Sequence, residues 1–366
     1  MYISQQEKNY YQISFEHRNH YKMAEKMKAP SVDRPELAKH DSAILDLAFA
    51  MDCTGSMGSY IKTAQQNIRE IVETIVASEK SNVHLALVEY RDHPPQDASF
   101  VTRTHDFTSS VSQMKTWLDE CSAQGGGDCP EAVADALHDV SKLSWREEAT
   151  KICVLVSDAP PHGLSPGGDS FPEGCPAGLD PIDITRTLAE KGITLYTVGC
   201  EPAILSYRDF FMALAYMTGG QYTPLGGAKL LTKIIIGGAQ EEMSLQQWMA
   251  DVDVEVQSRI ASGREIDDEA LTRDLHAKLA SKGARSKQLV RNNAELAGIS
   301  SKAKAMSSQM DMKAARSVFK SSMVETEPVM DEARCSDMYE AVESETSHYQ
   351  VNRMLQKSKA RNFYKK

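Results

Sequence analysis

The stretch AILDLAFAMDCTGSMGSYI, Ala43 to Ile61, decides the fold. Its apolar run stops at Asp52, small and hydroxylated residues follow, and helical spacing begins at about Tyr60. Thr54 and Ser56 stand two residues apart, so in a tight turn both hydroxyls can face one point beside the Asp52 carboxylate. Further strand-like runs lie at 83–91 (VHLALVEYR), 99–107 (SFVTRTHDF), 151–158 (KICVLVSD), 193–200 (ITLYTVGC) and 221–225 (QYTPL). Several are rich in Val, Ile and Leu with little polar alternation, as strands covered on both faces require. Between them lie helix-like stretches at Tyr60–Ala77, Ser110–Glu120, Pro130–Lys142, Pro181–Glu190 and Leu205–Met217. Pro130 and Pro181 suit a first helical turn. Strands alternating with helices predict an α/β fold, a doubly wound, mostly parallel sheet flanked by helices. Folds of this kind gather ligands at the carboxyl ends of their strands.

Three chemistries compete for the DCTGS turn. A phosphorylated aspartate needs a lysine to neutralise the phosphoryl group and a downstream Gly-Asp-Gly segment for magnesium. Residue 53 is Cys and the chain contains no such segment. A phosphate cradle fails too, because no G-x-x-x-x-G-K-S/T or G-x-G-x-x-G follows the first strand and a carboxylate at the tip repels phosphate. A divalent cation held by hydroxyls and carboxylates survives, since hard oxygen donors suit magnesium, manganese or calcium. One turn supplies only part of an octahedral shell, so two more strand-end loops should carry ligands. QGGGDCPEAVADAL (124–137) puts Asp128 after a glycine-rich turn, and VLVSDAPPHG (154–163) puts Asp158 at the end of the most hydrophobic strand. Taken singly, Asp128 reads equally as the cap of a helix starting at Pro130, Asp158 as a turn residue, and Thr54 and Ser56 as caps of the helix that follows them.

The three loops together resemble the von Willebrand factor type A family, over roughly 43–243. The metal-ion-dependent adhesion site motif of that family, D-x-S/T-x-S, is met by Asp52, Thr54 and Ser56, with GGGD and VSD in support. The wording is most similar to intracellular members such as those joined to α-kinases. The resemblance implies a Rossmann-like domain over 43–248 and a metal shell of Asp52, Thr54, Ser56, Asp128 and Asp158. The family usually has threonine where Asp128 stands. It further implies Mg2+ (or Mn2+ or Ca2+), kept electrophilic by neutral hydroxyl ligands and open to a carboxylate from a partner protein. A third aspartate would tighten the metal while weakening that capture.

Composition bounds the rest. The 366 residues carry a net charge of −10 and seven cysteines without a CxxC pair, which argues for reduced thiols in a cytoplasmic setting and against paired zinc knuckles. Cys53 and Cys129, each next to an expected ligand, read as small thiols, and His93 and His162 as loop histidines. No run of about 18 apolar residues predicts a membrane span. Residues 1–42 form an arm with Tyr2, Tyr10, Tyr11, Phe15 and Tyr21. Residues 44–240 are acidic, at −11, whereas the blocks 241–270, 271–320, 321–350 and 351–366 carry −7, +8, −7 and +6. The segment 249–366 therefore reads as a helical extension of alternating charge, free to fold back on itself, pair between subunits or lie along a charged polymer. It lacks clustered aromatics for base stacking, so nucleic acid is a poor fit. The sequence thus predicts a non-enzymatic, cytoplasmic protein-interaction module working through the cation. The alternative is a structural subunit of a large cytoskeletal or ciliary assembly in which the metal only stabilises the loops.

Overall fold

A computed structural model describes residues 41–363, apart from 80, 166, 264–265 and 322–331. The aromatic arm expected over 1–42 lies outside the described residues but for its last two. The strand β1 (Asp41–Asp52) sits in the middle of a six-stranded sheet. It pairs in parallel with β2 (Asn82–Tyr90) on one side and β4 (Ala149–Ser157) on the other. β3 (Thr102–Thr108) adds antiparallel to β2, while β5 (Ile193–Cys200) and β6 (Tyr222–Leu225) extend the parallel side, giving the order β3-β2-β1-β4-β5-β6. Successive side chains of a strand point to opposite faces, and β1 divides accordingly. Leu45, Leu47, Phe49 and Met51 enter one apolar core, Ala48 and Ala50 the other. The first core is closed by Ile61, Ile68 and Ile75 of α1 (Gly58–Glu79), Met114 and Leu118 of α2 (Val111–Glu120), and Ile235 of α6 (Leu231–Gln246). The second is closed by Val133 and Leu137 of α3 (Val133–Lys142), Ile182 and Leu188 of α4 (Pro181–Glu190), and Phe210 and Phe211 of α5 (Arg208–Met217). The doubly wound, mostly parallel architecture matches the expectation from the alternating pattern.

The carboxyl ends of β2, β1 and β4, three neighbours in the sheet, place their loops side by side. One local difference matters there. The helix expected from Pro130 begins at Val133 instead. The Glu131 amide donates to Pro160 O (2.9 Å), and Glu131 bridges Pro161, so this segment is held extended by the loop after β4. Asp128 consequently caps nothing; Ala132 takes the cap position without a side-chain bond.

The segment beyond 248 has the expected helices, α7 (Met249–Ala261), α8 (Asp268–Ser281), α9 (Ser301–Ser307), α10 (Met312–Ser321) and α11 (His348–Phe363). It also holds an antiparallel sheet that the helical reading missed, ordered β8-β7-β9, from β7 (Arg285–Arg291), β8 (Ala294–Glu295) and β9 (Tyr339–Glu345). A two-residue turn at Asn292-Asn293, both at positive φ (52° and 63°), joins β7 to β8, and asparagine is among the residues that tolerate that conformation. Gly237-Gly238, which the sequence suggests as an interruption, lies inside an unbroken α6. A Cβ on Gly237 would stand 2.6 Å from Leu289 Cδ1, and one on Gly238 would stand 3.1 Å from the Tyr196 ring. The pair is the slot into which β7 and β5 pack. The charge blocks fold back within the chain: Arg291 pairs with Asp337 (2.8 Å), Arg285 with Glu343 (3.1 Å), Arg361 with Asp253 (3.1 Å) and Lys359 with Asp268 (2.6 Å). Among the described residues no helix is long and apolar enough to cross a membrane.

Candidate metal centre

Backbone bonds fasten the three loops before any side chain is considered. Cys53 N donates to Tyr90 O (2.9 Å) and Gln124 N to Cys53 O (3.2 Å). Gly55 N donates to Gly125 O (3.3 Å) and Ala132 N to Arg91 O (2.8 Å). On this frame the fully buried Asp52 ends β1, and its Oδ1 accepts from Thr54 N (2.9 Å) and Thr54 Oγ1 (2.7 Å). Thr54 spends its hydroxyl proton on the aspartate, which leaves its oxygen lone pairs free to face a cation. Thr54 Oγ1 lies 3.4 Å from Ser56 Oγ, and Ser56 in turn hydrogen-bonds the Asp158 carboxylate. The structure therefore brings Asp52, Thr54, Ser56 and Asp158 together. Burial, and then the negative charge of Asp158, push the Asp52 carboxyl up to about 7, and burial likewise raises Asp158. Thr54 is buried, Asp158 is half-buried, and Gly55 and Ser56 are exposed. The cluster thus opens to solvent on the Ser56 side.

Asp128 sits at the edge of this group. Its Oδ2 accepts from Ser170 N (2.7 Å). Burial pushes its carboxyl up, but the Ser170 bonds outweigh this and hold it below the ordinary carboxylate range. Two acids that the sequence reading passed over complete the picture. Glu131 is buried from the same loop, and a Cβ on Gly126, whose φ is +83°, would stand 3.0 Å from Glu131 Oε1 and 3.4 Å from Thr54 Cβ. Only a glycine there lets the second loop lie between that carboxylate and Thr54. Burial, then the charges of Asp52, Asp92, Asp158 and Asp128, push Glu131 up to about 10. Asp92, fully buried just beyond β2, accepts on Oδ1 from His93 N (2.6 Å) and His162 Nε2 (2.7 Å). The signal was present: EYRD and DCPE both place an acid within two or three residues of a loop ligand or a strand end.

The long loop 159–180 is folded onto these acids. His162 is clamped between Asp92 and Asp169 (2.9 Å), and Asp169 also accepts from Gly163 N (2.6 Å) and Phe171 N (2.8 Å). Phe171 packs edge-on against the His162 ring at 5.0 Å.

Four buried carboxylate oxygens in this one region, Asp52 Oδ2, Asp92 Oδ2, Asp128 Oδ1 and Glu131 Oε2, have no hydrogen-bond partner. Buried acceptors without donors are costly and rare, and several at one place call for positive charge. Since Asp52, Thr54, Ser56 and Asp158 offer only hard oxygens, the residues fit a divalent cation of the Mg2+, Mn2+ or Ca2+ type.

Residues 46–163, which span all three loops, match the family model of the von Willebrand factor A domain. Over this segment the chain is similar to von Willebrand factor A domains. Two curated relatives agree. The alpha-protein kinase vwkA of Dictyostelium discoideum is 29% identical over 158 residues, 42% of this chain and 25% of that protein. The von Willebrand factor A domain-containing protein 7 of Homo sapiens is 36% identical over 118 residues, 30% and 12% respectively. The similarity thus reaches no more than a quarter of either relative's length. Among solved structures, the pilus adhesin SpaC of Lactobacillus rhamnosus GG is similar over 56% of this chain and 31% of its own, with 12% identity and a TM-score of 0.41. Von Willebrand factor A domains are generally protein-interaction modules, and they often bind a divalent metal.

Proposed function

We propose that this domain is a non-enzymatic module that binds an acidic side chain of a protein partner through a Mg2+-type cation at Asp52, Thr54, Ser56 and Asp158. The observation that carries the reading is the buried, unpartnered Asp52 Oδ2 beside a second raised carboxyl at Asp158. When bound, the cation supplies an electrophilic position that a partner carboxylate can fill. Asp52 and Asp158 contribute the anchoring charge, and Thr54 and Ser56 contribute neutral oxygens that leave the ion electron-poor. The exposed Ser56 marks the side from which a partner approaches. Asp128, tied to Ser170, fastens the loop 159–180 and stays out of the inner shell. Glu131 keeps its proton while the cation is away and so limits repulsion within the cluster.

Two measurements test the proposal. Calorimetric titration with Mg2+ and Mn2+ should show one site in the intact chain and none in Asp52→Ala. Proteins recovered from cell extract on the immobilised chain in Mg2+ should be lost with EDTA and with Asp52→Ala. The same set of proteins retained in all three conditions would show that recognition does not use the metal.

A further inference from the structure

Next to the oxygen cluster a second, chemically different set of donors comes together. His93 from the loop after β2, Asp135 in the first turn of α3 and Cys175 from the loop after β4 converge. His93 Nε2 lies 2.9 Å from Asp135 Oδ2, Cys175 Sγ lies 3.2 Å from the same oxygen, and Cys175 Sγ lies 3.6 Å from His93 Nε2. We infer that His93, Asp135 and Cys175 form a three-ligand site for Zn2+ or a similar borderline-soft divalent ion, separate from the oxygen site.

The geometry rules out the obvious competitor, a Cys–His–Asp nucleophilic triad. In a triad the imidazole uses one nitrogen for the nucleophile and the other for the carboxylate. Here both the thiol and the carboxylate face Nε2, so that nitrogen cannot serve both partners. Three donor atoms facing one another instead mark out a single point. A tetrahedral zinc shell, with Zn–N and Zn–O near 2.0–2.2 Å and Zn–S near 2.3 Å, sets its ligands roughly 3.3–3.6 Å apart. The Cys175–His93 edge (3.6 Å) falls in that range and the two edges to Asp135 (2.9 and 3.2 Å) are shorter than it, so an outward movement of the Asp135 carboxylate admits the ion. The donor set of one thiolate, one imidazole and one carboxylate is a zinc set and a poor magnesium set.

Further observations point to a ligand. The amide of Ala177 donates to Cys175 Sγ (3.3 Å), which fixes the sulfur in place. Asp135 lies in the first turn of α3, so its carboxylate is held on a regular element. A cavity of about 240 Å3 is lined by Asp135 and Cys175 together with Glu131, His162 and Lys313, leaving room for water at the fourth position. The other cysteine cluster, Cys53, Glu89 and Cys121, fits less well, because its two sulfurs stand 2.6 Å apart, whereas two ligands of one tetrahedral ion need roughly 3.7 Å. A zinc ion at the first cluster would clip the loop 159–180 to the sheet next to the oxygen site.

The test is Co2+ titration of the full chain in excess Mg2+, which leaves the oxygen site filled. One equivalent of cobalt should give strong visible bands of tetrahedral Co2+ and a near-ultraviolet thiolate charge-transfer band, both erased by Zn2+. Cys175→Ser should abolish the charge-transfer band and His93→Ala should abolish stoichiometric binding, while Asp52→Ala should leave both bands intact. A measurement that needs no variant is alkylation by iodoacetamide read by peptide mass. Zn2+ should protect Cys175 and leave the exposed Cys129 and Cys335 reactive. No thiolate band in the intact chain, a band that survives Cys175→Ser, a band lost only in Cys121→Ser, or Cys175 alkylated equally with and without Zn2+ would each overturn the inference.

Discussion

Two buried charge clusters are built on opposite principles. Around Arg353, which is fully buried, the charges are balanced within the chain. Its guanidinium meets Glu241 (3.1 Å) and Glu242 (3.3 Å) and donates to Gly219 O (3.0 Å), and Lys357 closes on Glu242. The glutamates are further bonded by Gln350 (2.8 Å), Gln221 (2.7 Å) and Thr194 (3.0 Å). Burial pushes Glu242 up, yet Lys357 and Arg353 outweigh it and hold the carboxyl below its ordinary value. Around Asp52 the opposite holds. Asp52, Asp92, Asp128, Glu131 and Asp158 are met by His162, and among the described residues no lysine or arginine forms an ion pair with them, while four of their oxygens are orphaned. A cluster whose charges balance is structural cement; one deficient in positive charge invites a cation.

The comparison can be broken or sharpened in three ways. The largest effect is expected from Arg353→Ala, which strands two buried carboxylates. Removing one partner of a buried ionic cluster costs about 3–5 kcal/mol, read as a fall in the denaturant midpoint, whether or not Mg2+ is present. If the loss disappears in Mg2+, the two clusters are not independent.

The second effect concerns pH. In metal-free protein the folded Asp52 holds its proton up to about 7, while the unfolded chain releases it near the ordinary 3.8. Between those values the native state binds more protons than the unfolded state, so stability is full below about pH 4 and falls as pH rises towards 7. Thermal melts in EDTA should therefore lose on the order of a few kcal/mol across that window. Asp52→Asn should flatten the slope, and Mg2+ should reverse it by binding the ionised form. A slope unchanged in Asp52→Asn would show that the raised carboxyl does not control it.

The smallest effect separates the two acids of the second loop. Asp128→Asn should leave Mg2+ affinity within a few-fold while loosening the loop 159–180, read as faster proteolysis there. Glu131→Gln removes an acid whose carboxyl feels the Asp52 charge and should weaken Mg2+ more than Asp128→Asn does. The reverse order would place Asp128 in the inner shell, as the family resemblance implies.

Much of this was legible in the residues. Alternating apolar strands and amphipathic stretches specify the doubly wound sheet, because burial on two faces leaves no room for polar alternation. DCTGS and VSD lie at the strand ends expected of them, whereas GGGD, expected at a third strand end, joins α2 to α3 and reaches the turn after β1 through Gly55 N and Gly125 O. What the sequence could not rank was Asp128 against Glu131, three residues apart in one loop. Their fates depend on Pro160 O, which takes the Glu131 amide and turns that side chain inward, and on Ser170 N, which draws Asp128 outward. Both partners lie on a different loop.

The tail shows the same division. Composition alone predicts helices there, and helices form. Local pattern could not show that Gly237-Gly238 is a packing slot for Leu289 and Tyr196, or that Arg353 would be buried against Glu241 and Glu242 more than a hundred residues away. Nor could it show that His93, Asp135 and Cys175, which lie in three separate segments, would face one point. Backbone periodicity is a property of neighbours in the chain, so the sequence by itself determined the main sheet, its flanking helices and the DCTGS turn. Charge balance and ligand convergence are properties of neighbours in space, and only the tertiary structure decided them.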